Sequence, residues 1–329
     1  MTSLAPVIQG FFTERLALQR QASNHTVTAY RDTVRLLLRF AWKQTGKQPA
    51  ELNLSDLDAD LIGTFLQYLQ EDRGNSASTR NARLAAIHSL FRYAAFRSPE
   101  DSALIQRVLA IPTKRTDRTI VCFLTQEEVE ALLAAPDRTT WWGRRDHTLL
   151  RLAAQTGLRV SELTGVTIQD LGLGRAPHVI CHGKGRKDRA TPLTGHTVTV
   201  LTKWLDERAG QPSDPLFPSR RGGRLSPDAV ARLVAKHVAT AAASCTSMRA
   251  KNITPHTLRH SAAMALLHAG VDISVIALWL GHESSETTMI YLHADMTLKE
   301  RALARTVPAG RPTERYKAPD TVLAFLDSL

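Results

Sequence analysis

The sequence has few cysteines and no long apolar run. Its 329 residues include three cysteines, Cys122, Cys181 and Cys245, which are odd in number and far apart. This spacing excludes a disulfide framework and a CxxC zinc site, and it fits a reducing cytoplasm. No stretch approaches the roughly 18 uninterrupted apolar residues of a membrane span. The N-terminal stretch, interrupted by Glu14 and Arg15, also lacks the pattern of a signal peptide, so we expect a soluble cytoplasmic protein without a membrane partner.

The charge is unbalanced in the basic direction. Lys and Arg number 42 against 31 Asp and Glu, which gives a formal net charge of +11. That excess suits a polyanionic partner, with nucleic acid as the leading candidate, although many soluble proteins are mildly basic without such a role. The length lies above the usual limit for one domain, which predicts two domains.

Residues 1–110 are predicted to form a helical first domain. After Asn24, which can cap a helix, apolar side chains recur at steps of three and four residues with arginines beside them. A second apolar segment, ADLIGTFLQYLQED, and a third from Ser78 to about Arg97 have the same character. These patterns predict a bundle of four or five helices.

A basic linker is predicted over residues 111–120, IPTKRTDRTI. The segment combines Pro112 with Lys114 and Arg115 and has almost no apolar periodicity. After it, Thr125 and Glu128 resemble a capping box, which predicts that the second domain, residues 121–329, begins here.

The second domain is predicted to be mainly helical with one β-hairpin, an α+β fold class. Helices are expected at 143–155, 160–165, 195–208, 226–243, 256–269 and 271–280. Between Pro177 and Pro192, the β-prone runs HVICH and RATPL flank GKGRKD, a turn rich in glycine and charge. The tail, 307–329, joins a spacer rich in Pro and Arg to the apolar segment TVLAFLDSL.

Several polar residues of the second domain stand out, although each also has an ordinary explanation. Arg159, in TGLRVSEL, precedes Glu162 by three residues, as in many surface ion pairs. Lys184 lies in a glycine-flanked turn, where a lysine is usually solvated. Taken singly, these residues do not indicate a function.

The histidines and the tyrosine are equally ambiguous when taken alone. His256 and His260 have the i, i+4 spacing of two metal ligands, but the run lacks the Glu of HExxH. Tyr291 stands between two aliphatic residues, as a core tyrosine does.

The order of these residues matches the needs of phosphodiester chemistry. In-line attack adds negative charge to the phosphate, and two arginines such as Arg159 and Arg259 can bind its oxygens with two hydrogen bonds each. The leaving oxygen needs a proton, for which Lys184 on a hairpin tip is a candidate. The nucleophile must form a covalent ester, and Tyr291 can do so when cations or a base promote its ionisation. His282 lies nine residues before this tyrosine.

These motifs resemble those of the tyrosine recombinase, or phage integrase, family, including its Xer-like site-specific members. The shared elements are TGLR.SEL, a hairpin lysine in GKG.K, H-x-x-R-H, LGH and a tyrosine nine residues later. The resemblance covers about residues 120–295. The first domain is similar, more loosely, to the core-binding domain of the family.

The resemblance implies a part in catalysis for each matching residue. Arg159 and Arg259 would hold the scissile phosphate, with His282 donating to it as well. Lys184 would protonate the departing 5′ oxygen, with Lys187 as second choice. No metal or organic cofactor is implied.

Further roles surround the nucleophile. Tyr291 would form a 3′-phosphotyrosine and leave a free 5′ hydroxyl. His256 would assist proton transfer at the tyrosine oxygen, while His260 would buttress the site. Glu162 would orient its neighbours.

The resemblance also implies partners. Both domains would bind a double-stranded recombination site, with Arg80 and Arg83 as candidate base readers and four further basic residues as DNA contacts: Lys114, Arg115, Arg186 and Lys187. A homotetramer on two DNA sites is implied, in which TVLAFLDSL either packs on its own domain or exchanges between protomers. Accessory recombinases could take part, and integration or excision of a mobile element is the favoured role.

Three other functions remain open from the sequence. A type IB topoisomerase would use a similar tyrosine, arginines and lysine to relax DNA. A non-enzymatic DNA-binding protein could keep the fold without turnover. A metal-dependent hydrolase would use His256 and His260.

Overall fold

The chain forms two compact units in this computed structural model, Met1–Arg118 and Thr119–Leu329. The structure describes residues 2–116, 121–183, 188–282 and 286–294, with side chains in the last range described for 288–292. The residue-level domain limits inferred from the sequence stay a prediction.

The first unit is built from helices. Its elements are α1 (Leu4–Gly10), a π-helical stretch (Phe11–Gln19), α2 (Asn24–Thr45), α3 (Ala59–Glu71), α4 (Ala77–Arg97) and α5 (Ser102–Leu109), with 3-10 turns at Leu54–Asp56 and Pro99–Asp101. The helical bundle inferred from the apolar spacing is confirmed.

Short polar side chains start the longer helices of this unit. The Ser76 hydroxyl accepts the Thr79 backbone N–H ahead of α4, and an Asp58 carboxylate oxygen accepts the Leu61 N–H ahead of α3. At α2 the cap is Ser23, not Asn24 as predicted. Its backbone is extended and its hydroxyl accepts the Thr26 N–H at 3.3 Å.

The core of the first unit lies where α2, α3 and α4 bring their apolar faces together. Leu37, Phe65, Ile87 and Phe91 have no exposed surface. Burying a side chain of this size stabilises the fold by roughly 1.5–3 kcal/mol each. The three- and four-residue spacing seen in the sequence therefore marks the faces that form the core.

The second unit contains the following elements: α6 (Gln126–Ala134), α7 (Trp141–Thr156), α8 (Val160–Gly165), β1 (Leu171–Gly172), β2 (His178–His182), β3 (Asp188–Pro192), α9 (Gly195–Arg208), α10 (Pro227–Ser244), α11 (Pro255–His268), α12 (Ile273–Leu280) and α13 (Glu286–Ala294). Two 3-10 turns, Ile168–Asp170 and Thr246–Ala250, complete it. Each predicted helix is present, and its ends differ from the prediction by at most two residues. The capping box of Thr125 and Glu128 opens α6 as expected.

The predicted hairpin is part of a three-stranded antiparallel sheet in the order β1-β2-β3. In its register Cys181 faces Arg189 and His182 faces Asp188. The short strand β1 pairs with β2 and was not predicted, because its two residues carry no recognisable alternation.

Two hydrophobic clusters support the second unit. The larger one surrounds α7 and includes Leu149, Leu150 and Trp204. The smaller one joins α11, α12 and α13 and consists of the buried residues Ala263, Met264, Leu267, Ile276, Leu280 and Tyr291. None of the described helices is both long and apolar enough to cross a membrane.

Candidate active site

Arg159 and Glu162 begin the site at the start of α8. The backbone N–H of Arg159 and its guanidinium both donate to the Glu162 carboxylate, at 2.8 and 2.9 Å. Glu162 is 6% exposed, whereas the Arg159 side chain keeps 37% of its surface exposed. The sequence motif thus places a buried carboxylate behind a guanidinium that solvent can reach.

Arg189 on β3 is the second partner of Glu162. Its two terminal nitrogens donate to the two Glu162 oxygens at 2.9 and 2.8 Å. Burial by itself would raise the pKa of Glu162, but the hydrogen bonds from Arg189 and from the Arg159 backbone outweigh burial and lower that pKa. Glu162 therefore stays a carboxylate, and the group of two arginines and one glutamate keeps a net positive charge.

The C-terminus of α12 binds three arginines through three consecutive carbonyls. Arg189 Nε donates to Trp279 O at 3.0 Å, Arg259 to Leu280 O at 2.7 Å and Arg159 to Gly281 O at 2.8 Å. These carbonyls are among those that a helix end leaves without an intrahelical donor, and they carry the negative end of the helix dipole. The helix end therefore fixes the guanidiniums while leaving their positive charge in the site.

Arg259 is the most buried of these arginines, with 2% of its surface exposed. A second terminal nitrogen donates to Gly157 O at 2.7 Å. Burial, and then repulsion from Arg159, lower the pKa of Arg259 to about 10, so it stays charged at neutral pH. The structure thus places Arg159 and Arg259 together at the end of α12, and their shared role in phosphate binding stays a prediction.

His260, rather than His256, contacts the tyrosine. Nδ1 of His260 lies 3.0 Å from Tyr291 Oη, within hydrogen-bonding distance. The His256 ring lies against the His260 ring, with centroids 4.3 Å apart and planes at 73°. His260 is therefore the described histidine that contacts Tyr291, whereas the resemblance assigned proton transfer to His256; the roles of both histidines stay predictions.

Burial and the nearby charges keep both His260 and Tyr291 neutral. Burial, and then the charges of His256 and Arg259, lower the pKa of His260 to about 4. Burial also raises the pKa of Tyr291 above its ordinary value, although Arg259 and Arg159 oppose that effect. Tyr291 is 1% exposed and belongs to the smaller cluster, so it is both a core residue and part of the polar site.

His282 lies next to the arginines just after α12. Gly281, at φ +64, ends the helix in the left-handed region, and the His282 backbone N–H donates to Ala277 O at 2.9 Å. Nδ1 of His282 lies 2.8 Å from the hydroxyl oxygen of Thr288 on α13. Burial, and then Arg259 and Arg159, lower the pKa of His282 to about 4, so its ring is neutral at pH 7.

Three predicted basic residues, Lys184, Arg186 and Lys187, lie outside the described residues. The strands before and after them are described, and His182 joins those strands to the neighbouring turn. Its two ring nitrogens lie 3.2 Å from Asp170 and 3.0 Å from Asp188. The hydrogen bond with Asp188, and then that with Asp170, raise the pKa of His182.

The remaining predicted DNA contacts belong to the first unit. Arg80 is buried and donates to Pro112 O at 3.2 Å, while the Asn81 amide both donates to and accepts from the Lys114 backbone. Arg80 thus holds the start of the predicted linker, and its role as a base reader stays a prediction. Lys114 and Arg115 are exposed, and Arg83 is half-buried with Nε and one terminal nitrogen unpaired among the described residues.

Two residues that contribute to the site were not predicted, Arg189 and Thr288. The sequence did carry a signal for Arg189. This arginine directly follows the charged turn, and it lies in a β-prone run whose alternate side chains share one face. Thr288, one turn before Tyr291, carries no signal that separates it from any helical threonine. Only the folded chain shows that its hydroxyl reaches His282.

Family models match both units of the chain. The model described as phage integrase family matches residues 122–297, and the model described as phage integrase, N-terminal SAM-like domain, matches residues 10–97. The chain belongs to the phage integrase family. It is therefore a tyrosine recombinase by family, one of the enzymes that break and rejoin DNA.

Relatives from bacteria match nearly the whole length of the chain. The integrase/recombinase-like protein y4rC of Sinorhizobium fredii is 54% identical over 99% of this chain and 98% of that protein. The tyrosine recombinase XerC of Pelobacter propionicus is 32% identical over 92% of this chain and 96% of that protein. XerD of Pseudomonas aeruginosa is 33% identical over 94% of this chain and 100% of that protein.

Solved structures show the same fold. The XerH site-specific recombinase bound to palindromic difH substrate, in a post-cleavage complex, aligns with a TM-score of 0.71 at 24% identity, over 87% of this chain and 81% of that one. A lambda integrase dimer bound to a COC′ core site aligns with a TM-score of 0.64 at 18% identity, over 96% and 80% of the two chains. The fold class predicted from the sequence is confirmed.

Proposed function

We propose that this chain is a site-specific recombinase whose nucleophile is Tyr291. The tyrosine oxygen attacks the scissile phosphorus, the bond to the 5′ oxygen breaks, and a 3′-phosphotyrosine and a 5′ hydroxyl result. A 5′ hydroxyl from another strand then attacks the phosphotyrosine, which restores a phosphodiester and releases the tyrosine. The observation that carries this proposal is the contact of Tyr291 with His260 beside the two arginines.

Arg159 and Arg259 bind the non-bridging oxygens in this proposal. Both guanidiniums are already held by main-chain carbonyls, so little reorganisation is needed when charge develops on the phosphate. His282 adds a third donor, and Glu162 keeps Arg159 in place. Burial, and then the surplus of positive charge, lower the pKa values of His260 and His282, and a phosphate would neutralise that charge.

Proton transfer involves different residues at the two oxygens. His260 accepts the phenolic proton of Tyr291, and His256 supports the His260 ring. Lys184 gives a proton to the departing 5′ oxygen, with Lys187 as the alternative; both assignments rest on the family resemblance. None of these steps requires a metal or an organic cofactor.

Double-stranded DNA is the proposed partner of both units. The net charge of +11 favours a polyanion, and Lys114 and Arg115 offer exposed cations. Arg83, Arg186 and Lys187 are further candidates, as is Arg80 if the linker moves away from it. The reducing cytoplasm proposed for the protein agrees with its three free cysteines.

We also propose a homotetramer on two DNA sites, with exchange of the tail segment TVLAFLDSL. Four apolar residues of α12 and α13 are exposed and could receive such a segment: Val275, Leu278, Met289 and Ile290. Integration or excision of a mobile element is the proposed role, and accessory recombinases could contribute to it.

A nicked suicide substrate tests the proposal. DNA carrying the recombination site, with a nick that lets the short 5′-hydroxyl fragment diffuse away, should trap a covalent protein–DNA adduct in the presence of EDTA. Tyr291→Phe should abolish the adduct while DNA binding persists, because binding depends on many phosphate contacts. An adduct that is unchanged in Tyr291→Phe would reject Tyr291 as nucleophile.

A plasmid assay separates recombination from topoisomerase activity. The proposal predicts joint molecules or exchanged products only with plasmids that carry the site. Efficient relaxation of any plasmid without joint molecules would instead identify a type IB topoisomerase.

A further inference from the structure

Thr288 is a buried hydroxyl between two parts of the site. It has no exposed surface, and its Oγ1 lies 2.8 Å from Nδ1 of His282. His282 follows the C-terminus of α12, whereas Thr288 belongs to α13, the helix of Tyr291. One hydrogen bond therefore joins the histidine next to the arginines to the helix that carries the nucleophile.

This contact has a chemical consequence for the imidazole ring. A neutral histidine has one N–H donor and one acceptor nitrogen, and the partner of one nitrogen decides which role the other takes. A phosphate oxygen needs a donor. Nε2 of His282 has no hydrogen-bond partner within the described part of the chain, so it is the nitrogen available to a phosphate. It carries the proton only if Nδ1 accepts one from Thr288.

Because the His282 ring is neutral, the position of its single proton decides whether Nε2 can donate to a phosphate. The low pKa of about 4 means that the ring is not doubly protonated in the free protein at pH 7. A ring with the proton on Nδ1 would direct a lone pair at the phosphate, which repels an anion. The hydroxyl of Thr288 is a donor that can prevent this, because it can rotate to present its proton to Nδ1.

The position of Thr288 in the helix adds a geometric role. It precedes Tyr291 by three residues, so the two side chains lie on neighbouring positions of one helical face. Both are buried, and Tyr291 packs against α11 and α12. Holding His282 to Thr288 therefore also fixes the distance between the phosphate donor and the nucleophile's helix.

We propose that Thr288 is a positioning residue for the cleavage reaction: its hydroxyl donates to Nδ1 of His282, presents Nε2–H to the scissile phosphate and ties that donor to the helix of Tyr291. The proposal rests on the proposed function for its effect on catalysis. The tautomer of His282, which is the structural part of the proposal, is a property of the free protein and does not depend on the proposed function.

Single-turnover cleavage of the suicide substrate measures the catalytic part. Thr288→Val keeps the shape and removes the hydroxyl, so cleavage should slow by roughly tenfold or more. Thr288→Ser should stay within a few-fold of the wild-type protein, because it restores the donor. Thr148→Val is the matched control, since Thr148 is another buried helical threonine, whose hydroxyl donates to Arg144 O. It should cleave at the wild-type rate.

A double-mutant cycle separates positioning from helix stability. In a His282→Ala background, Thr288→Val should cause little further loss, because the ring on which the hydroxyl acts is absent. An equal loss with and without His282 would overturn the proposal and identify Thr288 as a residue that only stabilises α13.

Nitrogen-15 NMR of histidine-labelled free protein tests the tautomer without DNA. The His282 signals, assigned by their loss in His282→Gln, should show the Nε2–H form at pH 7. Thr288→Val should shift them toward the Nδ1–H form. A wild-type His282 already in the Nδ1–H form would overturn the proposal, even if Thr288→Val did not fold. Failure of the proposed function would appear separately, as an adduct that persists in Tyr291→Phe.

Discussion

Tyr291 is held as a neutral phenol in the DNA-free protein. Burial among apolar residues raises its pKa, while the nearby acceptor His260 has a pKa of about 4. Full transfer of the proton from Tyr291 to His260 is therefore uphill in the free protein. With 1% of its surface exposed, the side chain must also become reachable. In the proposed mechanism, these two features keep Tyr291 unreactive until DNA binds.

Part of the pH dependence of stability follows from His260 and His282. An unfolded histidine binds a proton near pH 6.5, whereas His260 and His282 resist protonation until about pH 4. Between these values the unfolded state binds more protons, so the free energy of unfolding falls as the pH falls from 6.5 toward 4. Above pH 6.5 the contribution of these two histidines to the free energy of unfolding is fully present.

Urea unfolding at pH 7.5 and pH 5 measures this effect. The wild-type protein should unfold at a lower urea concentration at pH 5. The double variant His260→Gln/His282→Gln should depend less on pH over this interval. His25→Gln, at an exposed position of α2, is the control and should keep the wild-type dependence. An equal pH dependence in the double variant would show that these two rings are not the source.

The elements around the site meet at the C-terminus of α12. Three arginines from β3, α11 and the start of α8 donate to its last carbonyls. Gly157 lies close by at φ +64, where an added Cβ would come within 2.8 Å of Leu280 and 3.1 Å of Ala262. The TGLR motif thus combines a glycine that permits close packing with the arginine that the packing positions.

Arg189 links strand β3 to the C-terminus of α12, because its side chain donates to both Trp279 O and Glu162. Arg189→Gln removes two hydrogen bonds from buried Glu162 and one from α12, so the free energy of unfolding should fall by about 3 kcal/mol. Adduct formation should slow as well, because Glu162 then pairs only with Arg159. Chemical denaturation and single-turnover cleavage measure the two effects.

The surface pair of Arg144 and Glu207 is the matched control. Arg144 also makes a two-pronged contact with its carboxylate, but both side chains are partly exposed. Arg144→Gln should therefore lower the free energy of unfolding far less than Arg189→Gln and leave cleavage unchanged. Removing the charge in Glu162→Gln should reduce the cost of Arg189→Gln. Additive costs would contradict the coupling proposed here.

The sequence was sufficient for the main helices and the hairpin, but not for β1 or for the contacts between elements. Apolar spacing gave the helices of both units, and the charged turn between β-prone runs gave the hairpin. The order of motifs brought Arg159, Arg259, His282 and Tyr291 to one site. The contact of Tyr291 with His260 could not be predicted, because His256 and His260 are one helical turn apart and only the packing of α13 decides which one meets the tyrosine.

The whole molecule consists of two units and carries a formal net charge of +11. The family models match one unit each, which agrees with a division between a SAM-like domain and a domain that carries the catalytic residues. Arg80 and Asn81 fix the first residues after α5 to α4 of their own unit. The linker is thus anchored at its start before any DNA is bound.

The chemistry of the covalent joint tests the central claim most directly. The trapped adduct should be digested with protease and nuclease, and the modified peptide sequenced by mass spectrometry. The account predicts a nucleotide 3′-phosphate on Tyr291 and a released strand whose 5′ hydroxyl accepts label from polynucleotide kinase without prior phosphatase treatment. A linkage on another residue, or a released strand that ends in a 5′ phosphate, would contradict it.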